Sequence, residues 1–374
     1  MIKLKRLIKL TQDLIRIDSQ NPPGDERGIA LFVRNYLKDL GLKVKIYEFQ
    51  PRRSNIVASL NGSKKRHSLL LTPHLDTVPA GGSWKMNPFK AKLVGGRIYG
   101  LGATDCKCNL ASLIEAVHSI VEEKSLLPYN LILAATADEE SGSQLGLIPL
   151  LDKGILKPDA ALVLDADDFQ IVVAQKGLMH LRVCLKGKKA HGAYPDQGVN
   201  AIDIASEVIR DIKNHRFIYR KNKYLKPPTV NIGTIKGGDK VNVVADWCEF
   251  ELDLRFLPGS NHKHLLSLLR SIIKKYTHKF KIEINGIQKP YLISEDTPLV
   301  GYLKKALRYA GVRPKVSGSE GATVITFFQE KGIPSCATGF GVSSCAHIAD
   351  EYVNINSLYK GTLALERFLR IYQP

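Results

Sequence analysis

The sequence is short of acid for the base it carries. Against 54 lysines and arginines stand 36 aspartates and glutamates, a formal net charge of +18. Such an excess raises nucleic-acid binding. The basic residues are scattered, however, and no recognition-helix, RNP or zinc-finger pattern accompanies them, so the sequence predicts no nucleic-acid partner. A basic surface also draws in anionic small molecules and is compatible with a carboxylate substrate. Cys-x-x-Cys spacing is absent as well. Cys106, Cys108, Cys184, Cys248, Cys336 and Cys345 read as the reduced thiols of a cytoplasmic protein. No apolar run approaches transmembrane length, which predicts no membrane partner, and nothing near the start resembles a cleaved signal sequence. Leu4, Leu7, Ile8, Leu14 and Ile15 instead fall at helical spacing and predict a helix over 3–17 that covers a sheet. Repeats and low-complexity tracts are also lacking.

What is present is ordinary globular sequence, long enough at 374 residues for two domains. Up to about Asp165, helices (3–17, 26–40, 109–123) alternate with apolar runs (43–49, 54–60, 68–72, 130–136, 160–165). That alternation predicts an α/β fold with a mostly parallel central sheet. From about Gly177 to Pro290 the order becomes βαββαβ: strand 178–185, helix 201–214, strands 229–236 and 248–256, helix 262–276, strand 280–285. This ferredoxin-like order closes as one α+β layer. Helices are expected again over 297–310, 321–330 and 356–371. The second pattern therefore reads as an insertion, with residues 1–176 and 291–374 forming one domain and 177–290 the other.

The most informative residues are Glu139 and Glu140, side by side in Ala-Ala-Thr-Ala-Asp138-Glu139-Glu140-Ser-Gly at the end of the apolar run 131–135. Strand ends are where open α/β sheets keep their sites, and adjacent carboxylates there repel unless cations hold them. His74 and Asp76 stand two apart on an extended segment and project to the same side, the arrangement of a metal-binding imidazole and the carboxylate that orients it. A His and an Asp capping a loop would look the same. Asp105 follows the glycine-rich stretch Tyr99-Gly-Leu-Gly102-Ala-Thr and precedes an apolar helix. It can be a helix N-cap or a carboxylate bridging two cations. Cys106 and Cys108 beside it are a weaker candidate for a thiolate site. Asp165 ends the strand 160–164, and His347 follows the run 339–346. Taken together, His74, Asp105, Glu140, Asp165 and His347 supply two imidazoles and three carboxylates, a donor set suited to borderline ions such as zinc. Glu139 is then left free as a base.

The ordered motifs His74-x-Asp76, Gly-Ala-Thr-Asp105, Asp138-Glu139-Glu140, Asp165, Ala190-His191-Gly-Ala-Tyr-Pro-Asp-x-Gly-Val-Asn200, Asp253-Leu-Arg255 and Ala346-His347-x-x-Asp350-Glu351-Tyr352 span nearly the whole chain. In this order they resemble the dizinc family of acetylornithine deacetylase, succinyl-diaminopimelate desuccinylase, aminoacylase and carboxypeptidase G. The resemblance implies a zinc-peptidase-like catalytic domain with an inserted dimerisation or lid domain, a homodimer, and two Zn²⁺ per subunit, with Co²⁺ or Mn²⁺ as alternatives. It implies that Asp105 bridges the ions, with His74 and Asp165 on one and Glu140 and His347 on the other. Asp76 would support them, and Glu139 would be the general base. His191 would reach the partner subunit's site to hold an oxyanion, Arg255 would grip a substrate carboxylate with Asn242 as its companion, and the turn at Gly321 would bind substrate.

Three departures from the family pattern stand out. Cys108 occupies a usual glycine position, Asp165 replaces the glutamate of desuccinylases and carboxypeptidases, and the 319–322 turn lacks the arginine that follows the acid in desuccinylase-like relatives. The last two count against a succinyl substrate. The expected function is hydrolysis of the amide bond of an N-acyl amino acid. The alternatives are a dipeptidase or carboxypeptidase acting on short peptides, and a non-catalytic binding protein on the same scaffold.

Overall fold

A computed structural model describes residues 1–63, 67–165 and 167–374. The elements run α1 (Leu4–Arg16), α2 (Arg27–Asp39), β1 (Lys43–Glu48), β2 (Ser54–Leu60), β3 (Ser68–Thr72), β4 (Lys92–Val94), β5 (Arg97–Tyr99), α3 (Lys107–Glu122), β6 (Asn130–Ala135), α4 (Leu147–Asp152), β7 (Ala160–Leu164) and β8 (Gln170–Gln175). They continue through β9 (Gly177–Lys186), α5 (Ala201–Asn214), β10 (Thr229–Gly237), β11 (Trp247–Phe256), α6 (His262–Lys274), β12 (Phe280–Gln288) and β13 (Tyr291–Leu292). The chain ends with α7 (Pro298–Tyr309), β14 (Lys315–Ser319), α8 (Ile325–Glu330), β15 (Ser335–Thr338), β16 (Tyr352–Asn354) and α9 (Ile355–Ile371).

Two compact units result. The larger comprises Met1–Val173, Ile293–Ser317 and Thr323–Pro374. Its sheet runs in the order β1-β2-β6-β3-β7-β15-β8. The middle of the sheet, β6-β3-β7-β15, is parallel, and the pairings of β1, β2 and β8 are antiparallel. Leu69, Leu70 and Leu71 are consecutive and all fully buried. A strand covered on both faces cannot alternate apolar with polar, and this is the burial expected of a central parallel strand. α1 presents Leu7, Leu10, Leu14 and Ile15 to the interior and packs on α3, which packs in turn on α9. The arrangement has one consequence for function: the C-terminal ends of β3, β6, β7 and β15 open onto the same edge of the sheet.

The smaller unit comprises Ala174–Leu292 and Gly318–Ala322. Its antiparallel sheet has the order β10-β11-β9-β12. Along β11, Cys248, Phe250, Leu252, Leu254 and Phe256 point into a core closed by α5 and α6, while Glu249, Glu251, Asp253 and Arg255 alternate on the other face. Each helix starts on an asparagine: the Asn200 side chain accepts the N–H of Ile202, and that of Asn261 accepts the N–H of Lys263.

The predicted helix over 321–330 is corrected: α8 begins only at Ile325, after β14 and a turn. Gly321-Ala322-Thr323 offers no N-terminal cap and no apolar stripe, and the buried face starts at Val324. Among the strands the sequence analysis did not anticipate are β8 and the four-residue β15, which is too short to show a period.

Candidate metal centre

The carboxylates and imidazoles singled out in the sequence lie on the loops at that sheet edge. His74 and Asp76 follow β3, Asp138, Glu139 and Glu140 follow β6, Asp165 follows β7, and His347 lies beyond β15. Such an edge is where parallel sheets expose backbone ends and gather ligands. Asp105 comes from the loop before α3. It is not the helix cap: Cys106 takes that position, and no side chain caps the helix. The Asp105 carboxylate instead faces two histidines, with Oδ1 2.9 Å from His74 Nε2 and Oδ2 3.2 Å from His347 Nε2. His347 Nε2 is also 3.2 Å from Glu140 Oε1.

Hydrogen bonds hold most of these side chains and their loops in place. His74 Nδ1 lies 2.9 Å from the backbone carbonyl of Asp76. A carbonyl can only accept, so Nδ1 carries a proton and Nε2 is the nitrogen turned to Asp105. The Asp76 carboxylate accepts the N–H of Glu139 and of Glu140, each at 3.1 Å, and the Asn21 amide at 3.0 Å. The Asp105 loop is gripped from the far end of the chain, where the buried Glu351 carboxylate accepts N–H groups from Gly102 (2.8 Å), Thr104 (2.6 Å) and Asp105 (2.9 Å). On the Asp165 side, the Asn109 amide donates to the Asp165 carbonyl at 2.8 Å and its oxygen accepts the N–H of Phe340 at 3.0 Å. Gly339 is required there, because a Cβ at that position would lie 1.3 Å from the Asp165 carbonyl oxygen. Asn21, Asn109 and Glu351 are supports with no role expected from the sequence, although Asn109 and Glu351 lie inside the Asp105 and His347 motifs.

The electrostatics are those of crowded acids. Burial pushes the Glu139 carboxyl well above its usual range, the charges of Asp165, Glu140 and Asp76 push the same way, and His74 opposes them. Burial also works against ionised Asp105, but its hydrogen bonds with His347 and His74 hold it below the carboxylate range. His347 is pushed up to about 10 by its bonds to Asp105 and Glu140. Cys106 lies close by, taking the His74 N–H at 3.1 Å, but burial drives its thiol up to about 12. It is therefore a thiol at neutral pH without a metal, although its sulfur lies within 4.8 Å of donor atoms of His74 and Asp105.

This donor set fits metal. His74 Nε2 and a carboxylate oxygen 2.9 Å apart need a proton or a cation between them, and the donor atoms of Asp105, Glu140 and His347 all lie within 4.8 Å of one another. Asp165 lines one small cavity with His74, Glu139, Thr72 and Thr136.

The other predicted residues belong to the smaller unit. His191 and Asn242 are exposed neighbours: the 190–192 segment pairs with 242–244, and the Gly192 N–H donates to the Asn242 carbonyl at 2.8 Å. Arg255, on β11, is occupied by Asp253 through Nε (2.7 Å) and Nη2 (2.9 Å), which is the strand-end ion pair. Gly321 is exposed, and the adjacent Glu320 is tied to buried Lys176 at 2.6 Å.

Comparison with known proteins agrees with the geometry. Acetylornithine deacetylase of Vibrio campbellii is 30% identical over 355 residues, covering 91% of this chain and 90% of its own. That of Yersinia pseudotuberculosis is 31% identical over 371 residues, covering 95% and 92%. Among solved structures, a tripeptidase from Staphylococcus aureus superposes with a TM-score of 0.84 at 26% identity over 100% of this chain and 99% of its own. A metallo-carboxypeptidase of the M20 family from Sulfolobus solfataricus shares the fold at 20% identity, with a TM-score of 0.81 and coverage of 98% and 99%. The profile of peptidase family M20/M25/M40 matches residues 70–371, which takes in all the strand-end carboxylates and imidazoles described above. The chain belongs to that family, and is a metal-dependent hydrolase of amide bonds.

Proposed function

We propose that the protein removes the acyl group from an N-acyl amino acid, with acetylornithine-like compounds the leading substrates. The observation that carries this reading is the division of the Asp105 oxygens between His74 and His347, with the half-buried Glu139 lining the same small cavity as His74. His74 and Asp165 would hold one ion and Glu140 and His347 the other, with Asp105 shared; zinc is the first choice and cobalt or manganese the alternatives. When bound, the two ions supply Lewis acidity and lower the pKa of water. Glu139 takes a proton from the attacking water on its carboxylate and returns it to the leaving amine, a task suited to a carboxyl whose pKa is raised. Asp76 keeps the turn bearing Glu139 and Glu140 in register through their backbone N–H groups.

The remaining roles rest on the smaller unit. In a homodimer, His191 of one copy donates to the oxyanion in the other copy's site, with Asn242 beside it. Arg255 binds the substrate carboxylate with the donors Asp253 leaves free, and the turn at Gly321 lies against the substrate. The inserted segment is thus read as the dimerisation and lid domain, and the protein as cytoplasmic. No helix among the described residues is long and apolar enough to cross a membrane.

A peptidase acting on short peptides is the second reading. It is favoured by the likeness to the S. aureus tripeptidase. Hydrolysis of N-acetyl-ornithine, N-succinyl-diaminopimelate, N-acetyl-methionine and several dipeptides by zinc- or cobalt-loaded protein, with a chelated control, separates the two by kcat/KM. Faster turnover of dipeptides than of every acyl amino acid overturns the first reading.

A further inference from the structure

Behind the turn that carries Glu139 and Glu140 lies a buried ionic network that none of the roles above uses. Asp138 begins this turn in the left-handed region, with φ of 65°. A non-glycine residue stays there only when its surroundings hold it, and here the side chain is held at both oxygens. Oδ2 accepts the N–H of Leu145 at 2.9 Å, and Oδ1 accepts Nη2 of Arg53 at 2.9 Å. Arg53 comes from the start of the β2 region, 85 residues earlier in the chain. Its guanidinium also binds Glu26 through Nε and Nη2, both at 2.9 Å.

All three side chains are out of water: Arg53 is 8% exposed, Glu26 0% and Asp138 6%. Asn21 closes the network onto the site, donating to Asp76 at 3.0 Å and lying 3.4 Å from Asp138 Oδ1. The chain is shaped around the guanidinium. Gly24, at φ of 81°, passes so close that a Cβ there would lie 2.4 Å from Arg53 Cζ.

We propose that Arg53 is a positioning residue for the reaction. By clamping Asp138 against Glu26 it fixes the corner from which Glu139 and Glu140 project, and it is the cation that balances the carboxylates packed behind that corner. The inference rests on the functional reading of Glu139 and Glu140 given above. A planar fork is needed because Arg53 serves two carboxylates at once, Glu26 with Nε and Nη2 and Asp138 with Nη2. Lysine keeps the charge and loses that geometry. Without Arg53, Glu26 and Asp138 are left as uncompensated buried acids beside Asp76, and the left-handed corner keeps only the Leu145 N–H and the longer Asn21 contact as side-chain anchors. The N–H groups of Glu139 and Glu140, held only by Asp76 on the other side of the turn, then open more often.

Arg53→Met, Arg53→Lys and Asp138→Asn test the role. The first readout is amide hydrogen exchange in the metal-free protein. Protection of the Glu139, Glu140 and Leu145 amides is expected to fall about tenfold or more in Arg53→Met, and less in Arg53→Lys, while the Leu181 and Val183 amides in β9 stay unchanged. The second readout is turnover of whichever amide substrate the wild type hydrolyses, where kcat falls on the order of tenfold to a hundredfold with KM changed by less than about threefold. Should Arg53→Met fail to fold, Arg53→Lys and Asp138→Asn carry both readouts with the same sign.

Folded variants in which the three amides keep wild-type protection overturn the proposal, and so does an unchanged kcat. A uniform loss of protection through both units, with kcat intact once the protein is held cold, also overturns it, since it shows general stabilisation only. If the wild type hydrolyses no amide, the functional reading fails on its own, and the exchange experiment still decides whether Arg53 holds the corner.

Discussion

Asp76 accepts the backbone N–H of Glu139 at 3.1 Å. The residue that orients a proposed metal-binding histidine thus also anchors the main chain of the proposed base. Its other oxygen takes the N–H of Glu140, so one fully buried carboxylate sets two residues of the site, while the backbone carbonyl of the same residue, 2.9 Å from Nδ1, orients His74. A change at Asp76 therefore reaches both metal binding and proton transfer.

Glu139→Gln and Asp76→Ala should fail in different ways. Glu139→Gln removes a proton carrier but no ligand, so it should abolish turnover, by on the order of a thousandfold or more, while the protein still binds two metals. Asp76→Ala frees the backbone N–H groups of 139 and 140 and should lose metal as well as turnover. Metal content by mass spectrometry beside kcat separates the two cases; substantial activity in Glu139→Gln overturns its assigned role.

Metal removal should destabilise the larger unit in particular. Without cations, Asp105, Glu140 and Glu139 crowd together against a penalty that only His74 and His347 relieve. Saturating zinc should raise stability by about 3 kcal/mol at a hundredfold excess over Kd, seen as a rise in Tm of several degrees. Glu139→Gln should keep this rise, whereas Asp105→Ala should lose it. Scanning calorimetry with and without a chelator checks both.

Glu351 is expected to matter as much as any ligand for the integrity of the Asp105 loop. Glu351→Ala leaves three buried N–H groups without their acceptor, at a cost of about 1–3 kcal/mol each before relaxation. Loss of roughly 3 kcal/mol in denaturant unfolding, with weaker metal binding at Asp105, is the expected result. Glu351→Gln, which keeps one acceptor oxygen, should lose less. A neutral Glu351→Ala rules out the loop-holding role.

What the sequence disclosed and what it hid divide along the range of the interactions. Glu139 and Glu140 announced themselves because a local pattern, an apolar run followed by paired acids, marks a strand end. The alternation along β11 is just as local, and Cys248 to Phe256 could be read as one apolar face from the sequence. Arg53, Glu26, Asn21 and Asn109 left no such mark. Arg53 reaches Asp138 across 85 residues and Asn109 reaches Phe340 across 231, so no spacing within one element betrays them. β15 was missed for a related reason. Ser335–Thr338 is buried at all four positions, and only its neighbours β7 and β8 make it a strand.

The proposed sharing of active sites between subunits gives the last prediction. His191 and Asn242 sit on paired, exposed segments of the smaller unit, and among the described residues the His191 ring meets only its own turn, where Nδ1 accepts the Ala193 N–H at 3.0 Å and Tyr194 lies alongside. Nε2 of His191 is thus left to donate outward, as a residue serving a neighbouring copy requires. His191→Ala should lower kcat by about a hundredfold without loss of metal, the usual scale for deleting one oxyanion donor, and Arg255→Ala should chiefly raise KM. If His191 acts in the other copy's site and Arg255 in its own, a heterodimer of the two variants places both defects in one site and none in the other. Mixing the variants, with subunit exchange verified by mass, should then restore up to about half the specific activity of the wild type per heterodimer, the fraction fixed by one intact site of two. Verified heterodimers with no recovered activity would show that each subunit completes its own site.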